Sequence, residues 1–172
     1  MMFTAIVQHT PFWVWIVFVT LIVLGVRQSF ARRLQLGRVT ALPIVFVVLS
    51  LAGVVSVFGA HDGALLAWAV GIGAAAGLAL LAGAPNAARW LAAERVFEVP
   101  GSWVPLAIML GIFCLRYAVA VLLALHPALR GDASFAALAG LGYGGFSGLF
   151  LGRAMALWQL ARAPLAGALR DA

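Results

Sequence analysis

Polar positions are sparse along this chain and fall in short clusters, with long apolar runs between them. Five runs stand out, at residues 11–26, 39–59, 63–83, 103–125 and 134–157. None alternates apolar and polar residues at a period of two, as the strands of a membrane barrel would. Crossing ~30 Å of hydrocarbon takes about 20 apolar residues in a helix that rises ~1.5 Å per residue. The pattern predicts an all-α, polytopic membrane helical bundle of five transmembrane helices, forming a single transmembrane domain over residues 1–172.

The breaks between runs are short. His61-Asp62 alone separates the second run from the third, which forces an antiparallel hairpin. Pro11 suits a helix start. Pro43 and Pro105 are expected in the first turn or so of their helices, where a missing N–H is tolerated, and Pro127 ends the fourth. The longest break, residues 84–102, contains Arg89-Trp90, Glu94-Arg95 and the turn-like Val99-Pro100-Gly101. It predicts a short interfacial helix followed by a turn.

Composition agrees with a membrane setting. Hydrophobic residues make up 65% of the chain and charged residues 9%, against roughly 25% charged in a soluble domain. Too few charges remain to cover a water-facing surface, so the lipid bilayer is the expected partner. The net charge of +6 rests on eleven Arg and no Lys. All but Arg116 and Arg153 lie outside the apolar runs, where topology signals belong, so no nucleic-acid partner is implied. Arg27, Arg32, Arg33, Arg38, Arg89, Arg95, Arg162 and Arg170 fall on one side of the predicted bundle, and Arg130 alone on the other. That bias predicts an inner-membrane protein with its N-terminus outside and its C-terminus cytoplasmic. The first run lacks a basic segment before it and is expected to be a retained helix.

Arg116 is the most informative single residue. It sits near the middle of the fourth run, and no Asp or Glu lies in any run. A guanidinium at the bilayer centre costs at least ~2.5 kcal/mol on insertion scales. Counted from the outer boundary, Arg116 and Tyr143 have matching depths, and Ser147 lies one turn deeper. Arg116, Tyr143 and Ser147 therefore form a candidate polar or anion site. Arg153, near the inner end of the fifth run, can reach the headgroups. Gly140, Gly144, Gly148 and Gly152 recur every four residues, a small-residue face that admits another backbone. Gly73 and Gly77, with Ala69 above, offer a matching face on the third run, and Ala67, Gly71, Ala75, Ala79 and Gly83 form a second small row there. The two faces predict packing of helices three and five, or else a homodimer or another membrane-protein partner on helix five.

His9, His61 and His126 all fall at the predicted outer face and are weak candidates for metal or haem. Their spacing fits no ligand motif, and no cofactor is expected. Cys114 stands alone, so no internal disulfide can form. No catalytic signature occurs, so an enzyme is not expected.

Three stretches carry a family resemblance: Phe3-Thr4-Ala5-Ile6-Val7-Gln8-His9-Thr10-Pro11, Val99-Pro100-Gly101-Ser102-Trp103, and Phe146-Ser147-Gly148-Leu149-Phe150-Leu151-Gly152-Arg153. Together they resemble an uncharacterised bacterial family of small multi-pass inner-membrane proteins, a domain of unknown function, over nearly the whole chain. The resemblance implies an inner-membrane location and a basic residue followed by Tyr at Arg116-Tyr117. The expected role is a non-catalytic structural or accessory membrane component. The alternatives are a small transporter, channel or lipid- or anion-binding protein using Arg116, and a haem- or metal-binding redox protein.

Overall fold

The structure is a computed structural model that describes residues 11–59, 62–83, 88–91, 94 and 96–168. Five helices make up most of it: α1 (Phe12–Gln28), α2 (Leu36–Phe58), α3 (Asp62–Leu81), α4 (Val104–Leu125) and α5 (Ala133–Ala168). Four of them, α2 to α5, are long and apolar enough to cross a membrane. Helix α1 is apolar but has only 17 residues, or ~25 Å at the helical rise.

Local chemistry sets several ends. Asp132 accepts a 2.7 Å bond at its Oδ1 from the Phe135 N–H and so caps α5. Pro105 enters α4 in its first turn, where its missing N–H is no loss. Gly59 and Gly83, at φ 68° and 77°, follow α2 and α3 in the left-handed region that suits glycine. Pro127 opens a short 3-10 turn, Pro127–Gly131, which links α4 to α5. Pro43 departs from expectation. Helix α2 begins earlier than the apolar run, at Leu36, so Pro43 lies inside the helix, past its first turn.

Helix α5 is the centre of the bundle and packs on α3, α2 and α4. Its closest partner is α3, and the glycines make that approach possible. A methyl group added at Gly140, Gly144 or Gly148 would run into the carbonyl oxygen of Ala64, Trp68 or Ile72, and one at Gly152 would lie 2.6 Å from that of Ala76. The face of α3 is not the expected one. Gly73 and Gly77 have nothing within 4 Å of an added methyl, so they do not pack on α5. The buried positions of α3 are Ala64, Gly71, Ala76 and Ala79. Helix α3 is apolar all round, so its own sequence carries no preference for one small-residue row over another. Polar ties add to the packing: the Trp68 Nε1–H donates to Ser50 Oγ at 3.0 Å, and the Trp158 Nε1–H to Thr40 Oγ1 at 3.1 Å.

The break at residues 84–102 holds the largest departure. Where described, it carries strands, not an interfacial helix. Strands β2 (Arg89–Leu91) and β3 (Val96–Val99) pair antiparallel, and β1 (Arg32–Gln35), from the α1–α2 connection, joins β3 on its other side. In register, Leu34, Phe97 and Trp90 face one way, and Arg33, Glu98 and Arg89 the other. The apolar row clasps the bundle: Phe97 is fully buried among Val39, Ala154, Leu157 and Ala161. Helix α5 runs past the predicted end of its span, and its Leu157 and Ala161 pack against this sheet. The charged row is exposed, and Arg33 bridges Glu94 at 3.1 Å and Glu98 at 3.0 Å. Arg27, Arg33, Arg89 and Arg162 thus lie at the sheet end of the bundle, and Arg130 lies in the 3-10 turn at the other.

Candidate functional site

Helix α1 packs mainly against α4, where Phe18 meets Phe113 at 5.2 Å between ring centroids. The offset leaves a half-open groove between α1 and α2, floored by α4 and α5, with a volume of about 920 Å³. Its walls are almost wholly apolar: Val14, Val17 and Leu21 from α1, Phe46, Leu49 and Val57 from α2, Met109, Ile112 and Phe113 from α4. Among the described residues, Arg116 is the one charged side chain lining it.

Three helices position that guanidinium. Leu49 and Arg116 each lie nine residues from the neighbouring end of their helices, Phe58 and Leu125, and Tyr143 ten from Ala133. All three therefore sit ~13–15 Å inside the bundle at the helical rise. One Arg116 Nη donates to the Leu49 carbonyl oxygen at 3.3 Å. The guanidinium carbon stands 5.9 Å from the Tyr143 ring centroid, a cation–π distance. Gly53 makes room on the α2 side: a methyl there would collide with the guanidinium, with its central carbon only 3.2 Å away. Arg116 itself remains exposed toward the groove.

The expected cluster is therefore partly assembled. Arg116 and Tyr143 meet. Ser147 does not join them: it is buried and its hydroxyl donates to the Phe46 carbonyl at 3.5 Å, on a different stretch of α2. Ser147 follows Tyr143 by one turn and points at α2 instead of α4. The residues that sequence reasoning missed are Leu49 and Gly53. One contributes only a backbone oxygen and the other only an absence of side chain, so neither leaves a chemical signal in the sequence.

Guanidinium has five N–H donors. The Leu49 carbonyl and the Tyr143 side chain cannot occupy them all, and no carboxylate among the described residues lines the groove. The arrangement can therefore accept an anion or a strong hydrogen-bond acceptor from the groove side. The described residues contain no group of three or more potential metal ligands. His126 is exposed just past α4, and His9 and His61 lie outside the described residues. Cys114 is exposed on α4.

A family model matches residues 1–167, that of a family of unknown function (DUF6622). An uncharacterized protein of Pasteurella multocida (strain Pm70) is 32% identical over 74 residues, which is 43% of this chain and 56% of that protein. The chain thus spans little more than half the length of that curated relative. No solved structure matches the chain.

Proposed function

The chain belongs to this family of unknown function, and from that premise we propose that it is a non-catalytic, multi-pass inner-membrane component that holds a ligand at Arg116. The ligand carries an anionic or strongly accepting group, and the groove between α1 and α2 receives its apolar part. One observation carries the reading: a guanidinium ~13 Å inside the bundle, in an apolar groove, with donors to spare and no acid beside it among the described residues. The arginines at the sheet end favour a cytoplasmic placement of that end, with the N-terminus outside. Helix α3 occupies the glycine face of α5, so a second copy or another membrane protein would have to use a different surface.

Native mass spectrometry of protein extracted in mild detergent tests the proposal. Wild type should carry a bound small molecule or lipid that Arg116→Leu loses. If the two proteins retain the same adducts in the same amounts, Arg116 binds nothing and the reading fails. A folding control comes with it, because replacing a guanidinium that has no acidic partner with an apolar side chain in an apolar groove is expected to leave stability unchanged or raised.

A further inference from the structure

Resting on that reading of Arg116, we infer that the ligand of the groove is a long-chain carboxylate, with its two oxygens on the guanidinium and its tail along the apolar walls. The charge argument comes first. Among the described residues Arg116 is the one charged residue lining the groove, so a ligand with one negative charge leaves the site neutral. A dianion would leave one charge uncompensated in surroundings where that is expensive. A neutral acceptor would leave the guanidinium itself uncompensated.

Polar matching narrows the class further. The planar fork of a guanidinium suits the two oxygens of a carboxylate in a bidentate pair. Beyond Arg116, the polar side chains lining the groove are Ser56, Tyr117 and Tyr143. Ser56 already donates to the Gly53 carbonyl at 3.0 Å, Tyr143 lies beneath the guanidinium, and the Tyr117 ring stacks on Phe113. A phospholipid headgroup would bring phosphodiester and ester oxygens to this depth, with too few donors to meet them. A carboxylate brings two oxygens, and Arg116 serves both.

The shape of the groove accommodates the rest. From Arg116 to Met109 the floor runs seven residues along α4, or ~10 Å, between apolar side chains such as Ile112, Leu21 and Phe46. The open flank between α1 and α2 lets a longer tail continue into the bilayer. The same flank gives a single-chain amphiphile a route in from the lipid side without crossing water.

Thermal unfolding of the purified protein in detergent, with palmitate, methyl palmitate or phosphatidylglycerol added, tests the inference. Palmitate should raise the melting temperature of wild type in a dose-dependent way, and methyl palmitate should not. Arg116→Leu should weaken palmitate binding about 10- to 100-fold, the factor expected for losing a charged hydrogen bond. Gly53→Ala keeps the charge but pushes the guanidinium off the Leu49 carbonyl, and should weaken binding in the same direction, so the test survives even if Arg116→Leu folds poorly. Equal stabilisation by palmitate and methyl palmitate would overturn the carboxylate assignment. Arg116-dependent stabilisation by phosphatidylglycerol with none by palmitate would overturn it too, while leaving Arg116 as a ligand-binding residue. If no probe acts through Arg116, the inference and the broader reading fall together.

Discussion

Substituting alanine for Gly144 replaces a hydrogen with a methyl group at the tightest point of the α3–α5 contact. The new methyl would collide with the Trp68 carbonyl oxygen and stand 2.9 Å from its carbon and 3.1 Å from the Ile72 nitrogen. Ordinary carbon contacts lie at about 3.5–4.0 Å. These neighbours are backbone atoms of a regular helix, so no side chain can swing aside, and the helices must separate by something like 1 Å. A gap of that size forfeits roughly a quarter to a half of each dispersion contact along the seam. Overpacking of this kind costs about 1–3 kcal/mol. Alanine's better helix propensity returns at most ~1 kcal/mol, so the clash wins. At Gly73 and Gly77 the balance reverses, because a methyl there meets nothing within 4 Å; those two substitutions should be neutral or stabilising. Unfolding followed by circular dichroism in detergent, for Gly144→Ala, Gly73→Ala and Gly77→Ala side by side, reads the difference. Indistinguishable stabilities for all three would refute the packing of α5 on the Ala64–Trp68–Ile72–Ala76 face.

Phe97→Ala removes the fully buried side chain that holds the sheet against α5. It should cost about 3–5 kcal/mol, seen as faster proteolysis and amide exchange in β1–β3 while the helical signal persists. Reporter fusions after Arg33 and after Arg162 should read cytoplasmic, and one at Asp62 periplasmic; a cytoplasmic signal at Asp62 would reverse the proposed orientation.

The helices were legible from the sequence because a long apolar run in lipid has one economical solution. Every backbone group must find its partner within the segment, and a helix does that without help from distant residues. The depths of Arg116 and Tyr143 were legible for the same reason, since a helix turns residue number into distance. Their meeting is also what the structure contains.

The sheet was not legible. β2 and β3 have three and four residues, too short for a periodic signal, and Arg33 finds Glu98 across 65 positions. Such a pairing depends on where α1, α2 and α4 bring their connections, and no local pattern encodes that. Ser147 shows the limit of reasoning by depth alone: a side chain at a suitable level still points in one direction, and here it points at Phe46.

Sequence alone thus determined that the five apolar runs are helical, how deep each polar group lies along them, and which connections carry the arginines, because these follow from local hydrogen bonding and charge counting. Only the tertiary structure decided which faces meet. Small-residue positions on two sides of α3 are chemically alike, and the choice of Ala64, Gly71 and Ala76 over Gly73 and Gly77 comes from how α5 fits against the whole bundle. The setting of Arg116 was decided in the same way, since the Leu49 carbonyl and the vacant side of Gly53 gain their role only when α2 lies against α4.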